Sequence, residues 1–436
     1  MRGTTLVWFT HNLRLDDNPA LHAALDSEQL ICLFVTEPSW FRANRYSLQS
    51  LGQHRRAFLQ QTLSDLDNRL KALGQKLIVW HETPLETLTQ LVQSAKVNRI
   101  ITAEHPGYYE RHTLKQLHRR FPHLVCEVID SQTLFRREQL PFEVAQLPDS
   151  FSAFRRKIEK LQRVPDAPLP TPTALPPPVS NLANKVIELP VASQHTRFIG
   201  GESGANTQLD YYFSTDLPST YKETRNGLDG WDYSSKFSAW LANGSLSPRR
   251  LWQRIDRYEA EVVANESTYW LKFELLWREY FQWYAHRYDS KLYKFQGPFN
   301  RSPLTSFYPE RFKAWCEGTT PFAIVNAAMR QLNQTGYMSN RARQLVASAF
   351  VHELGLDWRY GAAYFEQQLI DYDVASNWGN WQYLAGVGAD PRGHRKFDLD
   401  KQTRIYDPQG VFIKTWQGDE NCHPLPNSDY YDWPAP

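Results

Sequence analysis

Leu6-Val7-Trp8-Phe9-Thr10-His11-Asn12-Leu13-Arg14 decides the fold of the N-terminal part. Four apolar residues in a row, closed by polar ones, make the pattern of a strand buried on both faces. Further apolar runs stand at residues 30–35, 77–80, 100–101 and 124–128. Between them, residues 55–73 and 85–95 place apolar side chains at three- and four-residue steps, as amphipathic helices do. Strand, helix and strand in alternation predict an α/β unit with a mostly parallel, doubly wound sheet. The turn after the first strand contains no glycine, so neither a dinucleotide fingerprint nor a P-loop is written there.

Outward from that unit, residues 165–178 hold seven prolines, which predicts an extended surface connection without regular hydrogen bonding. Beyond residue 200 strand signals fade, and residues 267–288, 321–332, 341–354 and 361–370 read as helices. The expected fold class is therefore α/β plus all-α. Residues 1–130 form the first domain, 131–200 a linker, 201–418 a helical domain and 419–436 a loosely held polar tail. Only Trp8, Trp40 and Trp80 of the 15 tryptophans precede residue 231, so the two halves have different cores.

Composition narrows the function classes. The 436 residues are 42% hydrophobic and 22% charged, which excludes disordered and fibrous chains. A formal charge of +2 gives no molecule-wide attraction to polyanions, so any nucleic-acid contact must be a local patch. Cys32, Cys126, Cys316 and Cys422 lack zinc or disulfide spacing. No leader pattern and no long apolar span is present, so a cytoplasmic protein is expected.

Three clusters carry chemistry. Tyr233, Ser234, Ser235, Lys236, Phe237 and Ser238 lead into a helical run, where hydroxyls, an ammonium and free N–H groups suit a diphosphate; a plain serine cap is the alternative. Helical spacing puts Trp270, Glu274, Trp277, Arg278 and Phe281 on one stripe, where charges among indoles need a ligand or partner unless Glu274 and Arg278 form an exposed pair. Asp371, Asp373 and Asn377 have the opening spacing of a calcium loop, but Ser376 and Gln382 stand where glycine and glutamate are required, so calcium is rejected. An arginine from residues 338–343 is placed to neutralise Asp371.

These clusters, in this order, resemble the photolyase/cryptochrome family over almost the whole chain. Trp8-Phe9-Thr10-His11-Asn12-Leu13-Arg14-Leu15-Asp16-Asp17-Asn18-Pro19-Ala20-Leu21 is similar to the family's opening motif. Leu147-Pro148-Asp149-Ser150-Phe151-Ser152-Ala153-Phe154-Arg155-Arg156-Lys157, Tyr221-Lys222-Glu223-Thr224-Arg225-Asn226-Gly227 and Ser376-Asn377-Trp378-Gly379-Asn380-Trp381-Gln382-Tyr383 resemble its DASH cryptochromes.

The resemblance implies FAD in the helical domain. Tyr221 and Ser234, Ser235, Lys236, Phe237 and Ser238 would hold its phosphates; Trp270, Glu274, Arg278, Asn340, Arg343, Asp371, Asp373 and Asn377 would line its pocket, with the Asn377 amide free to adjust to the flavin. It implies electron transfer through Trp381 and Trp358, although no outer tryptophan stands at residues 305–307; Trp315 or a tyrosine replaces it, or photoreduction is impaired. It also implies light-driven splitting of cyclobutane pyrimidine dimers, with Glu274, Trp277, Asn377, Gln344 and Tyr383 around the lesion. Tyr383 and Gln344 stand where conventional dimer photolyases carry tryptophan and methionine, which points to single-stranded DNA as partner of a monomer. The alternatives are a blue-light photoreceptor or regulatory cryptochrome that binds without turnover, or an unrelated helical oxidoreductase. A (6-4) lyase fits poorly, because its histidines would fall at Asn340 and Gln344. An antenna pigment, 5,10-methenyltetrahydrofolate, would sit at Glu104 or Glu110, and Arg155, Arg156, Lys157, Lys222 and Arg225 are candidate DNA contacts.

Overall fold

The computed structural model describes residues 3–185, 197–389 and 396–425. Strands β1 (Thr4–Phe9), β2 (Gln29–Thr36), β3 (Leu77–His81), β4 (Val97–Ala103) and β5 (Val125–Ile129) form one parallel sheet in the order β3-β2-β1-β4-β5. Val7 on β1 lies opposite Cys32 on β2 and Ile101 on β4. Alternate residues serve opposite layers. Val7, Phe9, Cys32 and Phe34 pack with Leu66 and Leu70 of the helix Gln53–Ala72. Leu6, Trp8, Ile31 and Leu33 pack with Leu88 and Leu91 of Pro84–Ser94 and Leu117 of Tyr108–Arg120. Chain order reverses between β1 and β4, so the crevice beyond their C-terminal ends is the place such sheets offer a ligand.

The connecting segment is more structured than its prolines suggest. It carries the helix Phe151–Lys160, capped by the Ser150 side chain. Prolines lack N–H groups but keep their carbonyls: Pro177 O accepts from Leu30 N–H at 3.0 Å, and Pro176 O accepts from Gln75 Nε2 at 2.8 Å. Residues 186–196 of the expected linker and 426–436 of the expected tail lie outside the described residues. The first part of that tail is held, not loose: His423 N–H donates to Thr319 O at 3.1 Å, and Arg330 donates to Glu420 O at 2.7 Å.

From Glu202 onward the described chain is helical, built around Glu266–Tyr288, whose start is capped by Asn265. The tryptophan surplus is spent in this core, where Trp240, Trp283, Trp315, Trp358 and Trp381 are fully buried. A buried polar network joins the two halves. Asp17 accepts from Arg249 Nε at 3.0 Å and Nη2 at 2.9 Å, from the Ser247 hydroxyl and from Leu169 N–H at 2.9 Å. Arg14 donates to the carbonyls of Asp16, Asp17, Ser131 and Gly244. Glu279, also fully buried, accepts from Leu134 N–H at 2.7 Å, Phe135 N–H at 3.2 Å and Trp283 Nε1 at 2.7 Å.

Burial alone would raise the Asp17 pKa, but Arg14 and Arg249 hold it below the ordinary carboxylate value. Asp17→Ala strands buried guanidinium charge and is expected to cost about 3–5 kcal/mol of unfolding free energy at pH 7, measured by denaturant titration. A depressed folded pKa means the stabilisation is present above the unfolded pKa and is lost as pH falls through the folded one. The wild-type advantage over the variant should therefore shrink in that acid window.

Candidate cofactor and active site

A cavity of about 260 Å³ opens among the helices Leu217–Thr224, Ser238–Asn243 and Glu266–Tyr288 and the segments 337–343 and 371–376. Tyr221, Ser234, Ser235, Lys236, Phe237, Ser238, Glu274, Arg278, Asn340, Arg343, Asp371 and Asp373 line it. A smaller cavity of about 110 Å³ shares Asn340, Arg343, Asp371, Asp373 and Ser376 with it and extends to Gln344, Asn377 and Trp381. Residues from the three distant clusters thus meet at one cleft.

Each charge in the cleft has an assigned neighbour. Arg343 Nη2 reaches both oxygens of Asp371, at 3.0 and 2.8 Å, while its Nε donates to Met338 O at 2.8 Å. Asp373 caps the helix Val374–Leu384 by accepting from Ser376 N–H at 2.7 Å, and it also accepts from Gln282 Nε2 at 2.8 Å. Burial opposes ionisation of Asp373, but the Arg278 charge and these bonds keep its pKa low. Lys236, at a positive φ of 61°, lies over the Tyr337 ring at 4.7 Å. Among the described residues no side chain caps the helix Ser238–Asn243; the residue at its cap position is Phe237. The exposed Glu274–Arg278 pair is not formed. Glu274 pairs with Arg225 at 2.6 Å, and Arg278 donates to Gln132 O at 2.5 Å and Leu241 O at 3.2 Å. Burial raises the Glu274 pKa, with Arg225 opposing. Asn377 Nδ2 donates to Ala362 O at 3.0 Å, which leaves the amide oxygen for a ligand and ties down an amide expected to adjust freely.

The aromatic residues divide. Trp270 is not part of the cavity lining and stands behind Arg225, 5.3 Å from the guanidinium. Trp277 and Tyr383 meet edge to face at 6.0 Å, while one face of Trp277 is stacked on Phe151 at 3.8 Å. Trp381 packs on Phe365 at 5.2 Å, Phe350 at 5.4 Å and Trp315 at 6.2 Å. A Cβ on Gly361 would stand 2.3 Å from the Trp381 ring, so only glycine allows this approach. Trp358 lies in the same core, 5.9 Å from Trp378. At residues 305–307, where the resemblance implies an outer tryptophan, Phe307 stacks on Tyr360 at 4.0 Å. Glu104 and Glu110 line a crevice of about 310 Å³ at the C-terminal ends of β1, β4 and β5. Burial raises the Glu104 pKa against the charge of Arg137.

Tyr337 beneath Lys236, Phe151 on Trp277 and the pairing of Arg225 with Glu274 carry no local signal in the sequence, because each joins residues far apart along the chain. The other candidate DNA contacts are engaged within the chain as well. Arg155 donates to the Tyr269 hydroxyl, Arg156 to Ser152 O, Lys222 pairs with Glu266, and Lys157 lies over Phe142.

A family model described as DNA photolyase matches residues 5–176, and one described as the FAD binding domain of DNA photolyase matches residues 270–424. The chain belongs to the photolyase/cryptochrome family, in its DASH branch. It is 52% identical to a Cryptochrome DASH of Idiomarina loihiensis over 98% of this chain and 95% of that protein. It is 47% identical to one of Vibrio parahaemolyticus over 98% of this chain and 96% of that protein. Among solved structures, the Synechocystis cryptochrome superposes with a TM-score of 0.91 at 39% identity, over 95% of this chain and 89% of that one. A class III photolyase of Agrobacterium tumefaciens gives 0.81 at 26%, over 95% and 86%. Family membership supports a photolyase-like or cryptochrome function, with FAD as cofactor and DNA as the family's partner. No helix among the described residues is long and apolar enough to cross a membrane.

The cleft fits FAD chemically. Hydroxyls, Lys236 and an uncapped helix start offer donors to a diphosphate, while paired Arg343–Asp371, Asp373 and the Asn377 oxygen offer a graded polar edge to a heteroaromatic ring. Arg343→Ala would leave Asp371 buried without its cation. Its FAD dissociation constant should rise roughly tenfold or more, measured by flavin fluorescence on unfolding-checked protein.

Proposed function

We propose that this protein repairs cyclobutane pyrimidine dimers in light, as a monomer acting by preference on single-stranded DNA. FAD held by Tyr221, Ser234, Lys236, Arg343 and Asp371 would supply light-driven one-electron chemistry for opening the cyclobutane ring. The observation that carries the reading is the edge-to-face pair of Trp277 and Tyr383, with Trp277 three residues along the helix Glu266–Tyr288 from Glu274, which lines the cofactor cavity. Two aromatic planes at an angle can hold two bases that are no longer parallel, as in a dimer.

This chain's residues divide the work. Trp277 and Tyr383 grip the lesion. Glu274, whose pKa is raised by burial against the Arg225 charge, offers a hydrogen-bonding group to the polar edge of the pyrimidine pair. Arg225 holds that carboxyl in place. Gln344 adds a polar contact, and the anchored Asn377 presents an acceptor to the flavin. Trp381 and Trp358, both buried, are the electron-transfer candidates, and the Phe307–Tyr360 stack stands where an outer tryptophan is absent. Glu104 or Glu110 would hold a folate antenna.

Strand preference follows from magnitudes. Stacking a base on an aromatic is worth about 1–3 kcal/mol. Extracting a base from duplex costs a few kcal/mol, a figure given generally for photolyases and other flipping enzymes. A tyrosine at 383 and a Trp277 already covered on one face by Phe151 leave little surplus for duplex, so unpaired lesions are favoured. With a net charge of +2, binding should be salt-sensitive and modest.

The Phe151 stack also favours a second reading, a cryptochrome that binds nucleic acid without turnover, because a covered indole grips a lesion poorly. Illumination of the reduced protein with dimer-containing oligonucleotides separates the two. Loss of lesion on single strands at least tenfold faster than on duplex is expected, and comparable rates reject the strand preference. No loss on either substrate, with binding retained, selects the receptor. Glu274→Gln should keep more repair than Glu274→Ala, since the amide retains a hydrogen-bonding group at that place.

A further inference from the structure

The motif at residues 147–157 stands outside the linings of both cofactor cavities, yet its first half is tied to the helix Glu266–Tyr288. Side chains of that helix hold it in register. The Tyr280 hydroxyl donates to Pro148 O at 3.2 Å, Arg287 donates to Leu147 O and to Asp149 at 2.6 Å, and the Tyr288 hydroxyl donates to Asp149 at 3.1 Å. Ser150 then starts the helix Phe151–Lys160 by accepting from Ala153 N–H at 3.4 Å. Phe151, its first residue, is 4% exposed, and its place is set by the same helix that carries Trp277.

The Phe151 ring enters a row of aromatics. Phe273, Trp277 and Tyr280 follow one another at four- and three-residue steps on one face of the helix. Phe151 meets Phe273 at 5.1 Å and 85°, Tyr280 at 6.1 Å and 69°, and Trp277 at 3.8 Å and 14°. Only the last of these is face to face, the contact a nucleic-acid base makes on an aromatic side chain. Phe281 lies near-parallel to the same indole at 5.6 Å and 26°, and Tyr383 crosses it at 81°. Trp277 thus keeps its angle to Tyr383 but has given up to Phe151 a face on which a flat base would stack.

Every base has a π-face, so a free indole face binds damaged and undamaged strands alike. Specificity is a difference of affinities, gained by refusing the wrong ligand as well as by holding the right one. We propose that Phe151 is the specificity-determining residue of the lesion site: it occupies the stacking face of Trp277, denies it to undamaged bases, and leaves the crossed planes of Trp277 and Tyr383 to two joined, non-parallel pyrimidines. This rests on the reading of that aromatic pair as the grip on the lesion, and it gives the connecting segment a task in substrate choice.

The test measures, by fluorescence anisotropy in the dark, binding of labelled single-stranded oligonucleotides, undamaged or with one cyclobutane dimer, to the FAD-loaded protein. Phe151→Ala uncovers the indole, so its dissociation constant for the undamaged strand should fall roughly tenfold, within the worth of one base stacked on an aromatic, while that for the dimer strand moves by less than about threefold. Phe151→Leu uncovers part of the ring, should move the undamaged strand the same way by about threefold, and serves where the alanine variant loses its flavin. Phe154→Leu makes the same change one turn along the helix, where the ring meets Phe142 and Tyr280, and should leave both constants unchanged. A loosened fold would not tighten binding. Unchanged binding of the undamaged strand by both Phe151 variants, an equal gain in Phe154→Leu, or a loss of dimer affinity alone overturns the assignment. A wild type without preference for the dimer strand overturns the repair reading instead, and the cover is then judged on the undamaged strand: tighter binding by Phe151→Ala supports it, and unchanged binding refutes it.

Discussion

The buried Asp17 carboxylate, held by Arg249 and bracketed by Arg14, is the constraint on which the rest depends. A charge with no access to water is tolerable only when its partners are all in place, and here they come from both halves of the chain. Meeting that demand sets the β1 turn against Gly244 and the start of the helix Pro248–Glu261. The same docking brings Thr10 and His11 opposite Tyr372 and Val374. The interdomain cavity is a consequence of where two ionic groups had to meet.

The helix Glu266–Tyr288 does three jobs at successive turns. Glu274 and Arg278 turn to the cofactor cleft, Glu279 takes two backbone N–H groups of the connecting segment, and Gln282 steadies Asp373. Enclosure pushes the Glu279 pKa to about 7, with the bonds from Leu134, Trp283 and Phe135 opposing. One helix thus ties linker, cleft and helix cap together, which is why its polar positions outnumber what a simple core helix would carry. The tryptophans around it supply bulk that keeps those polar groups apart from water except at the cleft.

Much of this was legible from the residues alone. Strand alternation specified the parallel sheet, because apolar runs without polar interruption must be covered on both faces. Helical periodicity located the main helices of the second half, and Asp371 with an upstream arginine announced the Arg343 pair. The family motifs named the residues of the cleft, and all but Trp270 of the expected pocket residues line one of its two connected cavities.

What the residues in order could not decide is which polar groups face one another. Four residues separate Glu274 from Arg278 on one helix, the spacing of the exposed pair that was the alternative, yet Arg225 from the end of another helix pairs with Glu274 instead. Phe151 on Trp277, Ala362 beneath Asn377 and His105 against His11 are likewise meetings of distant segments. Periodicity reports which face of an element is buried; it is silent on the neighbour across the gap. The primary structure therefore determined the layers, the cofactor class and the residues of the cleft, whereas only the packed chain decided their orientations and ion pairs, since these depend on distances that local spacing does not encode.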